Sequence, residues 1–285
     1  MGAGSLTVVG TGFGDYGQIT FESGSIIEVS EKVLYLTGNR LTAAWIRRTN
    51  PSAESLFPFY IGRPNRLQTY LDMTDHILSF VRRKLEVCAV FYGHPGVFVF
   101  PSHEAVIRAR EEGFEARMLP AISAEDCLFS DLGVDPGRRG CQSFEATDFL
   151  VRKHQTDIRV PLILWQVGAL GRVDYSLDQD NRNIPILSEV LQSLYGSNHE
   201  VVIYEAARHT LHEPVIEFVP LCRLGDAAVT AMSTLYVPPK DEPAIDFDMA
   251  RRLGIPEDYL LNSSNSRYSA YRPYASSKSR SRNVF

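Results

Sequence analysis

No run in this chain is apolar for long enough to cross a bilayer, and its four cysteines, Cys88, Cys127, Cys141 and Cys222, include no C-x-x-C pair and no histidine at metal-ligand spacing. The first absence speaks against helical membrane spans. The second suggests neither a zinc site nor a disulfide framework, so reduced, mostly buried thiols and no metal are expected. Residues 1–6 are too short and too uncharged for a secretory leader, and Leu6 stands where a myristoylation signal needs Ser or Thr. A cytoplasmic protein is expected.

Acidic residues are missing altogether from residues 262–285, which carry Arg267, Arg272, Lys278, Arg280 and Arg282. With those five cations set aside, the formal charge of −5 becomes −10 for the other 261 residues. So acidic a body speaks against a nucleic-acid enzyme, which would need a basic face for phosphates. The same segment has almost no aliphatic content, so it is expected to be a disordered basic tail.

What is present describes a soluble α/β protein. With 44% hydrophobic residues in 285, the chain can bury the core of one large or two ordinary domains. Residues 87–92 read as a buried strand, followed by the turn Gly93-His94-Pro95-Gly96 and a helix. Residues 114–119 are a second strand, then the turn Ala121-Ile122-Ser123-Ala124 and a second helix. In such crossover units ligands gather where strands end and helices begin, because loose N–H groups and positive helix termini lie there. Each turn also has a plain structural reading. Gly-His-Pro-Gly is a tight turn, and Ser123 followed by Asp126 resembles a capping box.

Residues 6–9 form an apolar strand that runs into Gly10-Thr11-Gly12-Phe13-Gly14-Asp15-Tyr16-Gly17. Gly12, Gly14 and Gly17 fit G-x-G-x-x-G, and Glu31 lies where a ribose-binding acid could stand. A dinucleotide site needs a helix at once, however, and Gln18-Ile19-Thr20 delays it until about Phe21, which argues against a nicotinamide enzyme. Residues 26–31 and 43–48 read as helix and residues 33–36 as strand. Pro58, Gly62 and Pro64 keep residues 56–65 irregular, and Arg66 begins a long helix with Leu67, Leu71, Leu78, Val81 and Leu85 as its apolar stripe. Arg66 and Tyr70, four apart, share a face that Tyr60 on the preceding loop could join; taken alone this is a solvated Arg-Tyr pair.

Around residues 142–149 a connector intervenes and the pattern restarts. Residues 161–167, 201–206, 215–221 and 228–237 read as strands and 183–195 as a helix, with Pro238-Pro239 closing the series. Residues 246–260 read as two short helical pieces. The expected domains are therefore 1–142, 143–240, a helical extension 241–261 and the tail 262–285.

YGHPGVF followed by PSH, AREEGFEARMLP and ISAEDCLFSDLG closely resembles the borosin peptide backbone α-N-methyltransferases, a branch of the tetrapyrrole methylase superfamily. The similarity runs from Leu6 to about Pro239. It implies two α/β/α sheet domains with S-adenosylmethionine (SAM) in the cleft between them and S-adenosylhomocysteine as product. The matching cofactor positions are Gly10, Gly12, Tyr92, His94, Val97, Phe98, Ser123, Ala124, Gln166, Tyr204, Ala206, Ser233 and Thr234. The catalytic positions are Tyr60, Arg66, Tyr70 and Tyr92. Two departures stand out: Ala121 replaces the glycine usual before Ile-Ser-Ala, and Phe57 replaces a family tyrosine.

The chemistry implied is demanding, because an amide nitrogen's lone pair is delocalised into the carbonyl. Its proton must be removed or its imidate stabilised. Arg66 could hold the carbonyl oxygen as charge develops, and a neighbouring guanidinium favours a phenolate, which makes Tyr60 or Tyr70 the candidate base. The resemblance further implies a homodimer and a peptide substrate from a separate ribosomally made precursor. Three alternatives stand beside this: a tetrapyrrole C-methyltransferase, an enzyme that methylates its own tail, and a non-catalytic SAM- or peptide-binding partner.

Overall fold

The computed structural model describes residues 4–61, 65–172, 181–209 and 211–264. Strand β1 (Ser5–Gly10) turns Leu6 and Val8 to one face and Val9 to the other, the two-faced burial of a strand inside a parallel sheet. Helix α1 (Phe21–Val29) starts where the Thr20 side chain caps the N–H of Ser23. Strand β2 (Lys32–Leu36), helix α2 (Arg40–Thr49, capped by Asn39) and the two-residue β3 (Glu54–Ser55) follow. After a 3-10 turn at Phe57–Tyr60 come α3 (Arg66–Arg82), β4 (Glu86–Phe91), α4 (Phe100–Glu111) and β5 (Glu115–Met118).

These five strands form one all-parallel sheet in the order β3-β2-β4-β1-β5. From β1 the chain moves toward β2 and β3, and from β4 toward β5 on the opposite side. The ends of β1 and β4 are therefore a topological switch point, where open α/β sheets take their ligands. One core, with Leu6, Val8, Ala89 and Phe91, faces Met73, Ile77, Ala105 and Ala109 of α3 and α4. A second, with Val9, Cys88 and Val90, faces Ile27 of α1 and Ile46 of α2.

The buried face of α3 differs from the expected stripe. It follows the i, i+4 series Thr69, Met73, Ile77 and Val81, joined by Thr74 and Leu78, whereas Leu67 is exposed. The core row passes beside the first turn, which leaves Arg66 and Tyr70 to face elsewhere.

Helices α5 (Ala124–Leu132) and α6 (Pro136–Arg139) lead to β6 (Gln142–Glu145), α7 (Ala146–Val151), β7 (Leu162–Trp165), α8 (Ile184–Tyr195), β8 (Glu200–Glu205), β9 (Val215–Pro220) and β10 (Thr234–Val237). The second sheet runs β6-β7-β10-β8-β9, with only β6 and β7 parallel. Its core joins Leu162, Leu164, Ile203 and Leu235 to Phe149 of α7 and Leu187 and Leu191 of α8. The strand expected at 228–237 is only Thr234–Val237. Residues 230–233 make a turn instead, with Ser233 N–H donating to the Thr230 carbonyl and Thr230 N–H to Ser233 Oγ. Helices α9 (Phe247–Arg252) and α10 (Glu257–Ser264) follow.

Two units share the chain. The first runs to Cys127 and takes in 206–209 and 211–213; the second begins at Leu128. The boundary expected near 142 lies earlier because α5 is tied to β8, where Tyr204 Oη donates to Asp131 at 2.7 Å. Of the expected tail, residues 262–264 continue α10 and 265–285 lie outside the described residues. Among the described residues no helix is long and apolar enough to cross a membrane.

Candidate active site

Gly10 ends β1 at the point where three strand-end loops meet. A Cβ there would lie 2.2 Å from the Gly93 carbonyl oxygen, 2.5 Å from Ala121 Cβ and 2.7 Å from Pro95 Cδ. Only glycine permits that approach. Gly12 and Gly93, both at positive φ, exchange backbone hydrogen bonds of 3.3 and 2.8 Å, locking the loops after β1 and β4 together. Gln18, which sequence reasoning passed over, fills the glycine loop: its Oε1 accepts from the N–H groups of Phe13 at 2.7 Å and Gly14 at 2.9 Å. Those amides are no longer offered to a pyrophosphate, in keeping with the delayed start of α1.

The loop after β4 is braced from within. His94 Nδ1 accepts from Gly96 N–H at 2.9 Å, His103 Nε2 lies 2.9 Å from the Gly96 carbonyl oxygen, and buried Ser102 donates to the carbonyls of Pro95 and Val99. Phe98 is held at φ +56, a conformation costly for a non-glycine residue and concentrated at functional sites. Tyr92, Val97 and Phe98 nonetheless remain 47%, 37% and 50% exposed. At the next turn, Ser123 N–H and Oγ both donate to Asp126 Oδ2 at 2.7 Å, and Asp126 N–H returns a bond to Ser123 Oγ at 3.1 Å. Ser123 is thus a true helix cap, with Ala124 opening α5 behind it.

The four catalytic candidates come together on this unit. Arg66 Nε donates to Tyr70 Oη at 2.7 Å, and Tyr60 sets its ring edge-on to Tyr70 at 6.3 Å between centroids. Burial pushes the Arg66 guanidinium's pKa down, but the hydrogen bond to Tyr70 and the fields of Tyr70, Tyr60 and Tyr92 outweigh it, leaving the pKa raised. The guanidinium therefore stays charged. Phe57 tilts against Tyr60 at 6.1 Å and Phe100 stacks on Tyr70 at 6.1 Å, while Phe13 meets Tyr92 edge-on at 6.1 Å. Phe13 and Phe100 were not foreseen. Phe13 stands between the motif glycines Gly12 and Gly14 and Phe100 three residues after Val97, which was the available signal.

The second unit holds its candidates differently. Gln166 follows β7 at φ +57, and the backbone beyond it runs so close to its neighbour that a Cβ on Gly168 would lie 2.0 Å from the Thr230 carbonyl oxygen. Tyr204, Ser233 and Thr234 are buried. Ser233 Oγ and Thr230 Oγ1 both donate to Glu205 Oε1 at 2.6 Å, a cluster missed in the sequence although Glu205 adjoins Tyr204. Ala206 opens the stretch that belongs to the first unit, where Asn39 Nδ2 donates to the Arg208 carbonyl oxygen at 3.1 Å and His209 Nδ1 lies 3.0 Å from Asp15 Oδ1.

A parallel sheet with exposed aromatic and apolar side chains at its switch point, followed by a mixed sheet, defines a two-sheet α/β protein, and such switch points are where open α/β sheets take their ligands. Residues 5–213 match the family described as Tetrapyrrole (Corrin/Porphyrin) Methylases, and the chain belongs to that family. Among curated relatives, it is 43% identical over 256 residues to the methyltransferase/ribosomally synthesized cyclic peptide gymnopeptides precursor of Gymnopus fusipes, covering 88% of this chain and 61% of that one. It is 42% identical over 256 residues to the corresponding omphalotin A precursor of Omphalotus olearius, with the same coverage. The chain thus spans 61% of the length of these relatives. Among solved structures, the uroporphyrin-III-C-methyltransferase of Thermus thermophilus shares the fold at a TM-score of 0.59 and 18% identity, covering 91% of this chain and all of the other. A cobalt precorrin-4 methyltransferase does so at 0.59 and 13%, covering 84% of this chain and 96% of that one.

Proposed function

We propose that this protein methylates backbone amide nitrogens of a ribosomally made peptide, using SAM. The observation that carries the proposal is the Arg66–Tyr70 hydrogen bond with Tyr60 and Tyr92 close by: a permanent cation held among phenolic oxygens. The names of the relatives, each joining a methyltransferase to a cyclic peptide precursor, support the same reading.

The residues present fit the cofactor. Gly10 and Gly12 let the strand-end loops close on one another at the switch point, Val97 and Phe98 offer exposed apolar surface beside it, and Tyr92 and His94 lie on the same loop. Ser123 and Ala124 stand at the neighbouring helix start. Gln166, Tyr204, Ala206, Ser233 and Thr234 enter the cofactor set on the resemblance alone. SAM, when bound, supplies a methyl group already made electrophilic by its sulfonium. The protein's own work is on the amide. Arg66 stabilises negative charge as it gathers on the peptide oxygen, and Tyr60 or Tyr70, acting as a phenolate, takes the nitrogen's proton and becomes the neutral phenol, freeing the lone pair. Phe57 and Phe100 pack against the Tyr60 and Tyr70 rings and hold them in place.

The peptide is read as a separate chain and the enzyme as a homodimer. Residues 262–285 are basic and rich in serine and tyrosine and are not themselves read as that peptide. Incubation with SAM and a candidate precursor, followed by intact-mass and fragmentation analysis, tests the proposal. Methyl increments on the precursor's backbone nitrogens are expected. Increments between residues 262 and 285 would show self-methylation, and methylated porphyrinoid without methylated peptide would show a tetrapyrrole enzyme.

A further inference from the structure

Helix α3 grips the Tyr60-bearing segment at a second place, distinct from Arg66 and Tyr70. His76 Nε2 lies 2.7 Å from Glu54 Oε1 of β3. Its ring meets Phe59, the residue before Tyr60, at 5.3 Å between centroids, and Phe80 of its own helix edge-on at 5.2 Å. The other carboxylate oxygen of Glu54 accepts from Lys32 Nζ at 2.6 Å, and Lys32 in turn lies 4.7 Å above the Phe80 ring. Burial pushes the Glu54 carboxyl up, but hydrogen bonds from Lys32 and His76 prevail and hold it below the usual carboxylate range. Glu54 therefore remains an ionised acceptor between β2 and α3.

The segment from Glu54 to Ile61 has other fastenings: Glu54 and Ser55 pair with Leu34 and Tyr35 of β2, and Phe59 and Tyr60 pack against the core of the first sheet. Leu56 is buried and its N–H donates to the Tyr35 carbonyl at 2.8 Å. Beyond it the turn closes on itself through Phe59 N–H to Leu56 and Ile61 N–H to Pro58, at 3.2 and 3.1 Å. Two consecutive rings then lean on one helix: Phe59 on His76, and Tyr60 on Tyr70. Six helical residues separate the two contacts, a rise of about 9 Å. A clamp at the far contact fixes how the turn lies along α3, and with it how Tyr60 meets Tyr70 and Arg66.

We infer that His76 is a positioning residue for the candidate active site: through Glu54 and Phe59 it sets the placement of Tyr60. The inference rests on the methyl-transfer reading for its effect on turnover, but not for its effect on the turn. Two substitutions separate the parts of the clamp. His76→Phe keeps a ring against Phe59 and Phe80 but loses the bond to Glu54. His76→Gln places an amide nitrogen near the position of Nε2 and keeps that bond.

The test combines hydrogen exchange of the amides of Phe57, Phe59, Tyr60 and Ile61 in the unliganded protein with kcat and KM for peptide methylation. In His76→Phe, exchange in that turn should quicken about tenfold, the weight of one charge-assisted hydrogen bond. The kcat should fall by about tenfold to a hundredfold, the scale of an ångström of misplacement, with KM for SAM unchanged. His76→Gln should restore both to within about threefold of wild type. Unchanged exchange in His76→Phe would overturn the inference whatever the turnover. So would faster exchange spread over the whole sheet, or failure of His76→Gln to rescue, since each marks a general loss of packing. Wild-type protein that methylates no peptide while the exchange difference persists would instead sink the methyl-transfer reading and leave the clamp standing.

Discussion

The first unit offers Tyr92, Val97 and Phe98 at 37–50% exposure, and a charged Arg66 beside two tyrosines. The second holds Tyr204, Ser233 and Thr234 in its interior, with the first two hydroxyls donated to Asp131 and Glu205. All these positions enter by the same resemblance, yet they differ in exposure. A buried hydroxyl already satisfied contributes to stability, and using it for a ligand would cost the internal bond. Ser123 shows that the division is not absolute, since on the first unit it too is committed to Asp126.

The sharpest contrast is expected from Arg66→Ala, which should lower peptide methylation by about 10² to 10³ while SAM affinity stays within about threefold. Tyr70→Phe should show the same separation of turnover from binding. Single-turnover rates beside calorimetric SAM titration check both, and near wild-type turnover in either variant removes the catalytic assignment from the first unit.

Gly10→Ala should come next. Its methyl would meet a carbonyl oxygen at 2.2 Å, so the three loops must part, and SAM affinity should drop at least about tenfold, the effect of losing one good polar contact. Retained affinity in a folded variant would place the cofactor elsewhere. On the second unit, Tyr204→Phe should cost about 1 kcal/mol of stability, read from the denaturation midpoint, for the bond to Asp131. A loss of SAM affinity exceeding that loss of stability would erase the difference between the units. The smallest effect belongs to Phe57→Tyr: the ring already tilts against Tyr60, and turnover should change by less than about twofold, within the usual range for surface substitutions.

Much of the fold was legible in the residues. The buried strands β1 and β4 and the delayed α1 follow from local pattern, and the parallel sheet follows from strands separated by helices. Other features depended on partners distant in sequence. Residues 228–233 look like strand until Ser233 finds Thr230 and Glu205. The core face of α3 begins at Thr69 rather than Leu67, because the sheet it covers fixes which row is buried.

The sequence by itself determined the class of fold, the glycine-bearing loops after β1 and β4, and the shared face of Arg66 and Tyr70, since spacing on one helix needs no partner to be read; Tyr60 joined them through the resemblance. Only the tertiary structure decided which side chains remain available. The closure of Gln18 over the glycine loop, the bond from Tyr204 to Asp131, and the grip of His76 on Glu54 and Phe59 join elements up to 73 positions apart. Hydrogen bonds and ring contacts depend on distance in space, and neither composition nor periodicity specifies which distant groups folding brings within reach.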